Sequence, residues 1–234
     1  MPAWKGYLRP MTVKIRGDAT ASAAVMATGS VMFLAAAFMP ISRVFIEGDP
    51  QAKLAILQAD PVQWKAEQLL FAAGTVVLPV GVVMLTRHWK TGSDGGKQDP
   101  LAGQRLAQSA ALLLSTGAVL FLVELEARYR DPEAFALGNL PMWPFHGYMW
   151  LSLAGMSALG GALLAPARGH ANSGTLPREL RWPGWLNLGG AAVFAGALAT
   201  TGDLPPLLVY GVELATAAAL IRQLRRGKNP DVTR

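Results

Sequence analysis

"ALLLSTGAVLFLVELEARYRDPE", residues 111–133, opens without a single charge and closes on Glu124, Glu126, Arg128, Arg130, Asp131 and Glu133. About 20 apolar residues at a rise of 1.5 Å cross the roughly 30 Å hydrocarbon core of a bilayer. The stretch therefore reads as a transmembrane helix that runs into the headgroups and ends in them. The same alternation of apolar runs and charged blocks covers the whole chain, of which 52% is hydrophobic and 15% charged. That is the pattern of a polytopic membrane protein rather than of a soluble core.

Six spans are expected, at about 19–41, 66–85, 106–126, 144–165, 185–201 and 205–224. The fold class is thus all-α, a single six-helix domain of three helical hairpins. Of the 21 Lys and Arg, all but Arg43, Lys53, Lys65, Arg128 and Arg130 fall before span one, between spans two and three, between four and five, or from Arg222 at the end of span six onward. The positive-inside rule makes those segments cytoplasmic, with both termini inside and the protein in a bacterial-type inner membrane. The net charge of +6 has the same origin. Basic ends meet anionic lipid, and no basic stripe with stacking aromatics points to nucleic acid. An alternative for the first span is a cleaved signal peptide, with "AAA" at Ala35–Ala37 as the cleavage region. The absence of cysteine excludes disulfides, thiolate metal sites and thiol nucleophiles together.

"ATGSVMFL" (27–34), "STGAVLFL" (115–122) and "LGGAAVFA" (188–195) share a small-Gly-small-apolar-Phe core in spans one, three and five. An acidic turn follows each: "GDP" (48–50), "RDP" (130–132) and "GDLP" (202–205). The expected unit is a helix, an outer turn and a returning helix, used three times round a pseudo-threefold axis. Gly29, Gly117 and Gly190 would permit close helix approach, and the Asp-Pro turns would cap the returning helices. The first outer loop is long enough for a short amphipathic helix through "PQAKLAILQADPVQW". Trp143, Tyr148 and Trp150 suit an interfacial aromatic belt, and "WKTGSDGGKQDP" reads as a flexible cytoplasmic linker.

Glu213 stands near the centre of span six, where a charged carboxylate costs on the order of 3 kcal/mol. It must be protonated, paired or facing water. A carboxyl of this kind serves a proton relay, a cation site or a general acid, or else acts as polar glue to Tyr210 or a backbone carbonyl. Glu124 and Glu126 end span three about 200° apart, and Arg128 and Arg130 follow each by four residues, the spacing of helical ion pairs. Glu67 and His146 enter spans two and four at the same outer depth. Glu67, Glu124 or Glu126, His146, Tyr148 and Glu213 are expected to line an outward-facing cavity with Asp131 and Asp203 at its mouth. A metal held by His146, Glu124 and Glu126 is a weaker reading, because no two histidines share helical spacing and His88 and His170 fall on the other side. His146 in a proton-transfer role is at least as good.

"ELEARYR" superficially resembles the glutamate-and-arginine signature of the intramembrane prenyl-protein proteases. That family needs two adjacent glutamates and further histidines, whereas Glu124 and Glu126 are separated and only His146 is at hand. In its general look the chain is similar to bacterial integral membrane proteins with aspartate-proline turns, a likeness of composition that implies no activity. No phosphate loop, nucleophile elbow or His-Glu-x-x-His helix is present, and no cofactor is indicated. The favoured expectation is non-enzymatic: binding of a small molecule, lipid or ion, or service as a membrane subunit beside another protein or a second copy. A small proton- or cation-coupled transporter using Glu213 comes second, and an intramembrane enzyme using the outer Glu and His cluster third.

Overall fold

The computed structural model describes residues 9–87, 102–165 and 178–226, with side chains over 19–87, 103–165 and 182–225. His88, His170 and the whole "WKTGSDGGKQDP" segment lie outside the described residues. The described chain is helical throughout: α1 (Arg9–Ala37), a 3-10 turn (Pro40–Phe45), α2 (Pro50–Ala59), α3 (Pro61–Thr86), α4 (Ala102–Arg130), α5 (Pro132–Ala136), α6 (Trp143–Leu164), α7 (Arg178–Thr201) and α8 (Leu207–Arg226). Five helices are long and apolar enough to cross a membrane: Ala19–Ala37, Pro61–Thr86, Gly103–Arg130, Trp143–Leu164 and Leu207–Arg225. The chain is therefore an all-α, multi-pass membrane protein. The 24-residue α7 has sufficient length but is not among the five; Pro183 and the buried Asn187 lie within it.

The six long helices form a closed ring. Each packs on the next in the chain, and α8 returns to pack on α1. Neighbours run antiparallel, as the contacts between glycines and facing residues show. Along the seam of α1 and α3, Met26 faces Gly81, Gly29 faces Leu78 and Phe33 faces Gly74. The three short connections consequently gather at one end of the bundle, and α1 begins and α8 ends at the other.

Association of helices in lipid relies on close van der Waals contact, because hydrocarbon drives no hydrophobic clustering. Two seams bring backbones together. A Cβ on Gly29 would lie 2.4 Å from the backbone nitrogen of Leu78, and one on Gly74 would lie 2.7 Å from that of Phe33. Between α6 and α7, a Cβ on Gly160 would meet the Gly184 carbonyl at 2.7 Å. Gly29 thus fulfils its expected role. Gly117 approaches only to 3.3 Å of the Leu151 side chain, and Gly190 makes ordinary contacts with Val212 and Met156.

The connections are built by short-range chemistry. Asp49, Asp60 and Asp131 each accept a hydrogen bond from a backbone amide two or three residues on, at 3.1, 2.9 and 2.8 Å, and Pro follows each Asp in the first helical turn. The returning helix α3 is capped by Asp60 rather than by the earlier "GDP", which starts α2. Asp131 caps α5 rather than α6. At the third turn, Gly202 takes φ +73° and α8 begins only after Pro205–Pro206. A satellite core of Ile41, Val44, Leu57, Trp64 and Ala136 fastens α2, α5 and the 3-10 turn over this end.

Gly74→Ala is expected to lower stability by about 1–3 kcal/mol, the cost of forcing apart a packed seam. Gly196→Ala, where an added Cβ meets nothing within 4 Å, should change it by no more than about 0.5 kcal/mol. Reversible unfolding in mixed micelles distinguishes the two.

Candidate functional site

A cavity of about 320 Å³ opens at the end of the bundle that carries the short connections. Five phenylalanines stand in its wall: Phe33, Phe45, Phe71, Phe121 and Phe145. Its floor is an aromatic stack. Phe33 lies flat on Tyr210 with ring centres 3.7 Å apart, and Phe71 and Phe121 approach Phe33 at 4.6 and 5.9 Å. Phe121 in turn stacks on Tyr148 at 4.4 Å. Phe33 and Phe121 are the phenylalanines of the first two copies of the sequence pattern, and each rests on a tyrosine of another helix.

Polar groups touch the cavity at three places, Ser42, Arg128 and Asp203. Arg128 is 7% exposed and its Nε donates to Oε1 of Glu124 at 2.9 Å, one helical turn earlier. Its guanidinium carbon stands 5.7, 5.0 and 5.9 Å from the rings of Phe45, Phe135 and Phe145. Ring faces attract the cation while the carboxylate neutralises it, which is how a charge is kept at this depth. The second expected pair, Glu126 with Arg130 at 2.6 Å, lies on the exposed side of α4. The half-turn between Glu124 and Glu126 sends one pair inward and the other out.

Behind Ser42 lies Glu67, with no exposed surface. The Ser42 hydroxyl oxygen contacts both the Ala36 carbonyl oxygen, at 2.9 Å, and Oε1 of Glu67. Oε2 of Glu67 and Oε2 of Glu124 are both buried without a hydrogen-bond partner. Beneath the aromatic floor the Tyr210 hydroxyl donates to Thr75 Oγ1 at 3.0 Å. One turn deeper on α8 is Glu213, fully buried, with neither carboxyl oxygen partnered. Deeper still, Asn187 donates to Thr216 Oγ1 at 2.6 Å and to the Pro183 carbonyl at 3.0 Å.

The expected residues are thus brought together only in part. Asp203 lines the mouth, but Asp131 is occupied as a helix cap. Glu67 and Glu124 stand one layer behind the wall, Tyr148 and Tyr210 lie below the floor, and Glu213 faces protein rather than lipid without reaching the cavity. His146 is half-buried at the start of α6, its ring 6.0 Å from that of Phe145, and it does not line the cavity. Among the described residues no three of His, Asp and Glu stand close enough to hold a metal ion. Ser42, the phenylalanine wall and the Asn187–Thr216 pair were not expected. Asn187 alone carried a signal, as a polar side chain within an apolar run. Comparison with family models, curated proteins and solved structures returns no match.

Removing one partner of a buried ion pair leaves an uncompensated charge, so Arg128→Met is expected to destabilise by about 3–5 kcal/mol. Adding Glu124→Leu should recover most of that loss. Arg130→Gln, at the exposed pair, should cost no more than about 0.5 kcal/mol. A double-mutant cycle read by thermal unfolding checks all three.

Proposed function

We propose that the protein binds a small apolar molecule or lipid in this cavity, from the outer side of a bacterial-type inner membrane. The observation that carries the reading is the cavity itself: five phenylalanines enclosing a space of about 320 Å³, the scale of small-molecule sites, with a few polar groups to orient a guest. In this reading α7 is the sixth crossing, the helices form three hairpins, the connection end faces outward and both termini are cytoplasmic. The basic residues concentrated in the opposite segments support that orientation.

Because the chain has no cysteine, single cysteines report topology without a background. Asp203→Cys is expected to react with a membrane-impermeant maleimide added to intact cells, and Ala165→Cys only after lysis. The reverse pattern would invert the orientation. Binding is tested with a solvatochromic apolar dye and the purified protein. Ala37→Trp, which projects an indole from the cavity wall, should abolish the saturable dye signal while thermal unfolding stays near that of the unmodified chain. Equal saturable binding by both proteins would remove the cavity as the site.

A second reading, a small transporter coupled to protons or cations, is favoured by Glu213. A carboxyl fully buried with both oxygens unpartnered is costly in hydrocarbon, and such residues commonly mark ion pathways. Under this reading Glu213→Gln preserves folding and dye binding but abolishes pH-driven uptake in proteoliposomes. Uptake that survives the substitution would leave Glu213 as structural glue.

A further inference from the structure

The Ser42 hydroxyl is in contact with two oxygens but has one hydrogen to give. When that hydrogen points to the Ala36 carbonyl, the contact with Glu67 needs a hydrogen from the carboxyl, and Glu67 is the neutral acid donating to Ser42. When Glu67 is ionised, the serine hydrogen turns to the carboxylate. The Ala36 carbonyl then keeps its bond from the Met39 amide at 3.0 Å. Neither arrangement strands a backbone group, so the hydroxyl can switch between them.

The surrounding charges define what would stabilise the second arrangement. Ser42 from the 3-10 turn, Gln68 from α3 itself and Arg128 from α4 bear on Glu67. Arg128 is already neutralised by Glu124. Ionising Glu67 therefore leaves one negative charge in excess beside an apolar wall, and Asp203 adds another carboxylate at the mouth. Glu67 Oε2 and Glu124 Oε2 are both buried acceptors without donors, and the floor presents phenylalanine rings, which attract cations. An anion on Arg128 would leave those acceptors unmet and place a second negative charge beside Glu124.

We infer that the cavity takes a monovalent organic cation with an apolar body in exchange for the proton of Glu67. The Glu67 O–H bond breaks and its proton leaves through the cavity to water. The cation enters, and the site's total charge is unchanged. The Ser42 hydrogen swings from the Ala36 carbonyl to Glu67 Oε1. This assignment rests on the cavity being a binding site, as proposed above.

The test uses the purified full chain in uncharged detergent, titrated calorimetrically with tetraphenylphosphonium and with its anionic isostere tetraphenylborate. The two have the same shape and opposite charge. The phosphonium is expected to bind more tightly, with an affinity that rises about tenfold per pH unit while free Glu67 holds its proton and then levels off. Runs in buffers of different ionisation enthalpy should show close to one proton released for each cation bound. Glu67→Gln, which keeps the shape of the neutral acid, should lose both the pH slope and the proton release. Tighter binding of the borate, or phosphonium binding by the unmodified chain with neither a pH slope nor proton release at any pH, overturns the exchange but leaves the cavity as a binding site. Failure of both isosteres to bind overturns the two together.

Discussion

The seam on which α1 and α3 meet backbone to backbone governs the geometry of everything above it. In hydrocarbon two helices gain by touching only as far as their surfaces allow. Gly29, Gly74 and Gly81 remove the side chains that would hold these two apart. Their closeness lays Phe33 against Phe71, and it carries the end of α1 over the start of α3 so that Ser42 reaches Glu67. A side chain at Gly74 would raise Phe33 from the aromatic floor and loosen the contact between Ser42 and Glu67. The glycines are remote from the cavity mouth, yet they set its depth.

The interior divides into two polar layers separated by rings. The outer layer holds Glu67, Glu124 and Arg128, and the inner one holds Glu213, Thr216 and Asn187. Between them the stacks of Phe33 on Tyr210 and Phe121 on Tyr148 form a partition. Tyr210 gives this partition a polar underside, since its hydroxyl donates to Thr75 beneath it. A guest in the cavity would press on Phe33, which rests on a tyrosine whose hydroxyl is hydrogen-bonded. That arrangement connects the cavity to α3 and α8.

Much of the architecture was legible from the chain because bilayer thickness imposes a minimum apolar length on every span. The apolar runs marked the chain as an all-α membrane protein, and the four-residue spacing of Glu124 with Arg128 and Glu126 with Arg130 predicted both ion pairs. The site was less legible. Which way Glu213 faces could not be read from α8, which is apolar on nearly every side, since burial there is decided by neighbours rather than by periodicity. The aromatic wall was hidden for a related reason. Phe33, Phe71, Phe121 and Phe145 are ordinary membrane residues one at a time, and only the ring of helices collects them from four separate spans. Ser42 escaped notice because it lies in a 3-10 turn, where no helical pattern announces which side chains point inward.

The floor of the cavity joins the first span to the last: Phe33 belongs to α1 and Tyr210 to α8. In a chain made from its N-terminus, all five wall phenylalanines are synthesised before Tyr210. Until then Phe33 has no ring beneath it, and the future cavity is an open cleft between α1 and its later neighbours. Closure of the ring by α8 therefore follows synthesis of the other five long helices. A chain truncated before α8 would retain Arg128, Glu124 and four of the five wall helices, yet it would have a groove open along its length in place of a cavity with a floor.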